Sequence, residues 1–259
     1  MSPTDLISPT FILDEETIAS YRRDGFVHIP GVLNADEVER YRSALAGVYE
    51  RGTEMSDDPA YTRIFKQVIQ VWKIDPVLRE LTFHEGLARY ATQLAGVPLR
   101  LWHDHMLVKK PHNGAATEYH QDAPYWPLRG SRASLSVWIA LVDVPVERGC
   151  MSFIPGQQDR HDIRPIDLKD KTDMFAAAED LTYARRVTVP LRAGDVTFHN
   201  GYTPHTANAN DTDEYRWALV TAYIDREATF SGATHPVTDP LGLAVGDRFP
   251  DDACPPVPL

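Results

Sequence analysis

The chain has 259 residues, of which 43% are hydrophobic and 24% charged, as in a globular protein with a sizeable core. Its formal net charge of −11 argues against nucleic-acid and membrane partners, because phosphate backbones and lipid surfaces are also anionic. Only two cysteines occur, Cys150 and Cys254, and neither a secretion signal nor a membrane-length apolar run is visible, so we expect unpaired thiols and a cytoplasmic location.

The first third of the chain predicts helices. Residues 14–25 predict a short helix that ends at a glycine, and residues 26–33 predict a strand broken by a Pro-Gly pair. Asn34, followed three residues later by a glutamate, is typical of the cap of a longer helix. Residues 64–95 also place apolar side chains at helical spacing, so segment 1–96 is expected to be mainly helical.

From residue 97 onwards, short runs of alternating apolar and polar residues predict strands. These runs cover residues 100–110, 133–144, 185–191, 195–199 and 216–225. Their spacing predicts an antiparallel barrel or double-sheet jelly roll over residues 97–225. The charged stretch at about 157–186 is expected to be an exposed insertion, and 226–259 a proline-rich tail without regular structure. No linker divides the chain, so we expect one domain, 1–259.

The sharpest chemical signal is the triplet His120-Gln121-Asp122. In a strand, residues i and i+2 point to the same face, so His120 and Asp122 would direct a nitrogen and an oxygen to one point. A third ligand is expected from the second block of strands, where either His199 or His205 could supply it. Two histidines and one carboxylate are the ligand set of non-haem Fe(II) oxygenases.

A candidate cosubstrate residue follows the second histidine. Arg216 lies eleven residues after His205 and is predicted on the next antiparallel strand, where its guanidinium would bind a dicarboxylate end-on. Lys109 and Lys110 alternate faces, so only one of them can point inward.

Several other side chains could line a pocket. His103 and His105 share one strand face, and without a carboxylate partner they are expected to be structural or pocket-lining. Tyr119, Tyr125 and Trp126 are candidate substrate-binding residues, with aromatic packing at a barrel mouth as the alternative.

Taken together, these motifs resemble the phytanoyl-CoA dioxygenase family of Fe(II)/2-oxoglutarate-dependent oxygenases. The resemblance rests on DGFVHIPGVL, LWHDHMLVKKP, YHQD, VWIALVDVPVERGCMSFIPG, LRAGDVTFHNGYTPH and the later Arg216, and it covers roughly residues 20–225. It implies a mainly β fold, with a double-stranded β-helix (a cupin-like jelly roll) and flanking helices. It also implies Fe(II) as the metal and 2-oxoglutarate and O₂ as cosubstrates.

The resemblance further assigns roles to individual residues. It implies iron ligation by His120, Asp122 and His205, and it implies that Arg216 anchors the distal carboxylate of 2-oxoglutarate with help from Lys110. Members of the family often carry a small hydroxyl residue where this chain has Ala207, which leaves Thr206 as the substitute cosubstrate contact.

The expected function is hydroxylation of a small-molecule metabolite with release of succinate and CO₂, and natural-product biosynthesis is a candidate setting. Desaturation, cyclisation or epoxidation by the same ligand set is one alternative. A non-catalytic jelly-roll sensor that keeps a metal is another. Neither the substrate nor the oligomeric state follows from the sequence.

Overall fold

The helices of the N-terminal region begin and end at capping residues that the sequence provides. The computed structural model describes residues 11–52, 66–166 and 173–257. The helices described between residues 11 and 96 are α1 (Glu15–Asp24), α2 (Ala35–Glu50), α3 (Pro76–Thr82) and α4 (Glu85–Ala95). Asn34 and Glu37 form a complete capping box at the start of α2, as predicted. Gly25 ends α1 in the left-handed conformation, with φ 81°.

Two antiparallel sheets face each other and form the jelly roll, which confirms the predicted fold class. The major sheet has the order β1-β9-β6-β11-β3-β2 and the minor sheet the order β4-β10-β7-β8. The strands of the major sheet are β1 (Phe26–Ile29), β2 (Lys66–Ile69), β3 (Leu99–Lys109), β6 (Ser134–Ala140), β9 (Val196–Asn200) and β11 (Arg216–Asp225). Those of the minor sheet are β4 (Thr117–His120), β7 (Met151–Phe153), β8 (Val187–Val189) and β10 (His205–Ala207). A separate pair is formed by β5 (Leu128–Arg129) and β12 (Thr229–Phe230).

The core has layers on both faces of the major sheet. On the outer face, apolar residues of α2, α3 and α4 pack against alternate residues of β3, β6 and β11, such as Val137 and Leu219. On the inner face, Trp138 and Val220 pack against Met151 and Phe153 of the minor sheet. The interior between the sheets is therefore apolar at one end, and the polar site described below lies farther along it.

The prediction for residues 64–95 is partly wrong. Residues 66–69 form the edge strand β2 and pair with β3, although α3 and α4 are helical as expected. Residues 64 and 65 lie outside the described segments. A four-residue run is too short to show its period, and pairing with a neighbouring strand decides its structure. The N-terminal part therefore also supplies β1 and β2 to the major sheet.

The C-terminal segment closes one end of the jelly roll. A short 3-10 turn (Asp239–Leu241) is its main helical element, and Val237, Phe249 and Cys254 are buried against Trp102 of β3. Arg100 fixes the segment by donating to the backbone carbonyls of residues 249 and 254 at 2.8 and 3.0 Å. Much of the tail is irregular, but it supplies the short strand β12 and contributes to the core, so it has more regular structure than predicted.

The insertion at 157–186 is described at residues 157–166 and 173–186. Much of the described part is exposed, and it contains the four-residue helix α5 (Met174–Ala177). It also has a small apolar cluster of its own, to which Ile163, Ile166 and Leu181 contribute.

Two predictions about compartment and membrane can be compared with the fold. Cys150 and Cys254 are both buried and free, as expected for unpaired thiols. Within the described ranges, every helix is too short or too polar to span a bilayer. The cytoplasmic location stays a prediction.

Candidate metal and cosubstrate site

Three of the predicted ligands meet between the two sheets. His120 ends β4, Asp122 is the second residue after the strand, and His205 begins β10, where it lies opposite His120 in the sheet. Asp122 Oδ1 lies 3.5 Å from His120 Nε2 and 3.7 Å from His205 Nε2. One ligand atom from each residue lies within 4.8 Å of the others, so the group could hold a single metal ion.

Backbone contacts orient both imidazoles for this purpose. His120 Nδ1 lies 2.8 Å from the carbonyl oxygen of Glu118, and His205 Nδ1 lies 3.0 Å from that of Thr203. A carbonyl oxygen only accepts, so each Nδ1 carries the proton and donates. In the neutral form of each ring, Nε2 then carries the lone pair, which is the tautomer that a metal requires.

Asp122 is held by two residues of the major sheet. His199 Nε2 lies 3.1 Å from Asp122 Oδ2, and Ser136 Oγ donates to the same oxygen at 3.0 Å. These bonds occupy Oδ2 and leave Oδ1 facing the two histidines. His199, the alternative distal ligand, therefore supports the carboxylate in this structure, while His205 completes the cluster.

The electrostatics of the cluster are those of a carboxylate among imidazoles. Burial raises the pKa of Asp122, but His205, His120 and His199 together hold it well below its usual value. Burial, followed by the neighbouring His120, lowers the pKa of His205 to about 3. Burial opposes the charged form of His120 as well, but the hydrogen bond to Asp122 raises its pKa. At neutral pH the cluster thus offers an ionised carboxylate and a neutral His205 as ligands.

A second polar group lies on the inner face of the major sheet, where two buried cations sit side by side. Arg216 of β11 is opposite Lys109 of β3, and their exposed fractions are 1% and 0%. Arg216 donates to the carbonyl of Gly149 at 3.0 Å, its guanidinium carbon lies 5.2 Å from the centre of the Trp138 ring, and its Nε has no partner.

The lysine is held only by backbone oxygens. Lys109 Nζ donates to the carbonyls of residues 115, 207 and 208. Neither Lys109 nor Arg216 pairs with a carboxylate in the described part of the chain. Burial lowers the pKa of Arg216 to about 9 and, together with Arg216, that of Lys109 to about 6. Arg216 therefore stays charged at neutral pH, and a ligand that brings a carboxylate would supply its missing anion and favour the protonated form of Lys109.

Two of the expected cosubstrate contacts are placed elsewhere. Lys110 is exposed, so the inward-facing lysine beside Arg216 is Lys109, and the assignment of Lys110 is corrected on that ground. Thr206 is buried, but its hydroxyl donates to the backbone carbonyl of Thr117 on β4. Arg216 was also expected on the antiparallel strand next to that of His205. Instead, His205 lies in the minor sheet and Arg216 in the major sheet.

The candidate substrate residues divide into two groups. Tyr119 packs against Phe175 of the insertion, with ring centres 5.3 Å apart, and the hydroxyl of Tyr125 donates to the backbone carbonyl of Ile166. Both tyrosines therefore contact the insertion. Trp126 instead lies 6.1 Å from the ring of His103 on the major sheet.

Comparison with known proteins places this geometry in a family. A sequence model described as "Phytanoyl-CoA dioxygenase (PhyH)" matches residues 21–218. The mouse protein "Phytanoyl-CoA dioxygenase domain-containing protein 1" is 29% identical over 163 residues, which cover 60% of this chain and 55% of the mouse protein.

Two solved structures are similar over nearly the whole chain. The non-haem alpha-ketoglutarate-dependent carbocyclase SnoK from nogalamycin biosynthesis is 38% identical, with a TM-score of 0.86, and the match covers 95% of this chain and 97% of SnoK. The epimerase SnoN, solved with Fe3+, alpha-ketoglutarate and nogalamycin RO, is 35% identical with a TM-score of 0.81, and that match covers 93% and 97% of the two chains. The expected iron and 2-oxoglutarate are thus confirmed among its relatives. The chain belongs to the phytanoyl-CoA dioxygenase family of Fe(II)/2-oxoglutarate-dependent oxygenases.

Proposed function

We propose that this enzyme uses iron and 2-oxoglutarate to oxidise a small organic molecule, with hydroxylation as the reaction. The observation that carries the proposal is the combination of two polar groups in one interior. His120, Asp122 and His205 form a three-ligand cluster, and Arg216 and Lys109 are buried basic groups that pair with no carboxylate of the described segments. A metal that binds the first group and a dicarboxylate that reaches the second would satisfy both.

Each residue has a distinct task in this proposal. His120, Asp122 and His205 would hold the metal on one face, and the remaining coordination positions would be open to ligands. Arg216 would bind the distal carboxylate of 2-oxoglutarate through its fork of N–H donors, and Lys109 would balance the remaining charge. His199 and Ser136 keep Asp122 in its rotamer. When bound, iron with 2-oxoglutarate and O₂ supplies the oxidising power that removes a hydrogen atom from the substrate.

A second candidate reaction is ring closure or inversion of a carbon centre without oxygen insertion. The similarity to SnoK and SnoN favours it, because those two proteins are named as a carbocyclase and an epimerase and match over 95% and 93% of this chain. The same ligand cluster serves either outcome, since the outcomes differ only after the hydrogen atom has been removed.

The test is a turnover assay with product analysis. The purified protein is incubated with Fe(II), 2-oxoglutarate, O₂, ascorbate and a panel of metabolites that begins with nogalamycin compounds, and succinate is measured. Ascorbate supplies the two reducing equivalents that an inversion needs, because the substrate itself is not oxidised in that outcome. We expect substrate-dependent succinate from at least one compound. A product that gains one oxygen atom supports hydroxylation, one that loses two hydrogen atoms supports ring closure or desaturation, and an isomer of unchanged mass supports inversion.

The control uses the metal cluster itself. Asp122→Ala and His205→Ala should each lose anaerobic Fe(II) binding and succinate release, because two ligands make too weak a chelate. If the wild-type protein binds Fe(II) but releases no succinate with any compound, the non-catalytic sensor becomes the better explanation.

A further inference from the structure

A wall of imidazoles lines the interior next to the metal cluster. His103 and His105 of β3 lie opposite Ala222 and Val220 of β11 in the sheet register. Ala222 in turn lies opposite Ser136, the residue that donates to Asp122. Residues opposite one another on neighbouring strands share a face, so His103, His105 and Ser136 point into the same interior. The charge of Asp122 also acts on both imidazoles.

The two imidazoles of β3 form a complementary pair. Their Nδ1 atoms are 3.4 Å apart, so one of them carries a proton and donates it to the other. The ring whose Nδ1 donates has an Nε2 that accepts, and the ring whose Nδ1 accepts has an Nε2–H that donates. The Nε2 atoms of the two rings lie outside this contact. The pair therefore presents one donor and one acceptor.

His235 of the C-terminal segment adds a second donor. Its ring stacks on that of His103 at 5.6 Å and lies 5.0 Å from the ring of Trp102. The backbone N–H of Val237 donates to His235 Nδ1 at 3.2 Å, which places the imidazole proton on Nε2. Trp126 borders His103 from a third direction, 6.1 Å away.

The three imidazoles of this wall and the two neighbouring tryptophans are uncharged at neutral pH. Burial lowers the pKa of His105 and of His235 to about 4, and it holds the pKa of His103 well below its usual value. Trp102 and Trp126 cannot ionise. A charged substrate group on this side would gain no ion pair and would lose its hydration. Hydroxyl and carbonyl groups of a substrate could instead form hydrogen bonds with the uncharged imidazole donors and acceptors.

We propose that His103, His105 and His235 form the substrate-recognition wall of this enzyme, and that it selects an uncharged organic molecule bearing several hydroxyl or carbonyl groups. The inference rests on the proposed function, because it places the substrate beside the metal. Two chemical sources share this chemistry, the carbohydrates and the polyphenols. Trp126 and the stacked rings of His103 and His235 offer a flat apolar surface to a ligand of either class.

Binding is measured by anaerobic calorimetry on the protein loaded with Fe(II) and 2-oxoglutarate. The carbohydrate probes are methyl glucoside and its charged counterpart glucose 6-phosphate. The polyphenol probes are quercetin and its permethylated ether, which lacks hydroxyl donors. We expect methyl glucoside or quercetin to bind, and to bind more tightly than its counterpart. Tighter binding of methyl glucoside would identify a carbohydrate as the substrate class, and tighter binding of quercetin a polyphenol.

Variants then link binding to the wall. His105→Phe keeps a ring of similar size but loses both nitrogens, so affinity should fall by about five- to tenfold, as for one neutral hydrogen bond. His105→Gln retains an amide near Nε2 and should recover most of the affinity. His235→Asn keeps an acceptor for the N–H of Val237 and loses the Nε2 donor, so it should also weaken binding. His112→Asn is the control, because His112 is exposed and Asn tolerates its left-handed backbone at φ 51°.

The outcomes separate this inference from the proposed function. If the visible absorption band of the Fe(II)–2-oxoglutarate complex fails to form anaerobically, the proposed function is wrong. If the band forms, three results would refute the wall. Glucose 6-phosphate or the permethylated ether could bind as tightly as its counterpart, or no probe could bind. The third such result is that His105→Phe and His235→Asn leave the affinity unchanged.

Discussion

Replacement of Arg216 by lysine tests the cosubstrate site most directly. The guanidinium of Arg216 is buried beside Lys109, and it donates to Gly149 while its Nε has no partner. The Arg216→Lys variant keeps a cationic side chain but removes the planar fork that can donate two parallel hydrogen bonds to one carboxylate. The cost should therefore fall on 2-oxoglutarate binding.

The size of the effect has two parts. A hydrogen bond to a charged group contributes about 1.5–3 kcal/mol, so losing one raises the KM for 2-oxoglutarate about 10- to 100-fold. The second part concerns charge, since burial and Arg216 lower the pKa of the neighbouring Lys109 to about 6. A lysine in the place of Arg216 would experience similar burial and lose its proton near neutral pH. The defect should thus grow as the pH rises from 6 to 8.

The assay is succinate release at varied 2-oxoglutarate concentration, measured at several pH values. Arg40→Lys is the control, because Arg40 is exposed on α2 and pairs with Glu80. We expect a raised KM with a smaller change in kcat for Arg216→Lys, and wild-type behaviour for Arg40→Lys. An unchanged KM at pH 8 would remove Arg216 from the cosubstrate site.

Three further predictions concern iron retention, backbone strain and pH. His199→Phe removes a hydrogen bond to Asp122 and should weaken anaerobic Fe(II) binding about 10- to 100-fold; unchanged affinity would contradict its supporting role. Gly194→Ala should lower the free energy of urea unfolding by about 1–3 kcal/mol more than Gly31→Ala, since both have positive φ but only the first Cβ would overlap a backbone oxygen. Equal losses would refute the overlap. Burial raises the pKa of Asp104 to about 7, so the folded chain holds a proton that the unfolded chain loses above about pH 4. Stability should therefore fall between pH 4 and 7, and an equal fall in Asp104→Asn, measured by urea unfolding, would refute this origin.

The sequence predicted the fold class because long strands carry a clear period. The alternation in β3, β6 and β11 extends over seven to eleven residues, which is enough to separate strand from helix. In β2 and β10, with four and three residues, the same signal is absent. Pairing with neighbours then decides the structure, and no single sequence reveals that pairing.

The ligand triplet was found by an argument that is only half correct. His120 does lie on a strand, but Asp122 has left it and has helical backbone angles, φ −78° and ψ −48°. The two side chains converge because the chain turns after the strand, where Gln121 donates to the carbonyls of residues 160 and 202. Same-face alternation therefore predicted that the two side chains converge, but the structure brings them together by a turn.

The inward-facing lysine could have been identified from the alternation of side chains between the two faces of β3. His103 and His105 were expected on one face, and Lys109 follows at an even spacing on the same strand, whereas Lys110 does not. The role of His235 could not have been found in this way. It reaches the wall through an irregular C-terminal segment whose path depends on contacts with β3.

The position of Asp122 between the sheets affects how long the protein would survive in a cell. His120 and His205 belong to the minor sheet, whereas His199 and Ser136, which hold Asp122, belong to the major sheet. A bound ion would hold Asp122 against the two histidines while His199 and Ser136 tie the same carboxylate to the major sheet. Because the ion would bind only the folded chain, it would stabilise that chain in proportion to the logarithm of the ion concentration. Iron-starved molecules would open more often and meet proteases more readily. Iron supply would then set the amount of this enzyme as well as its activity.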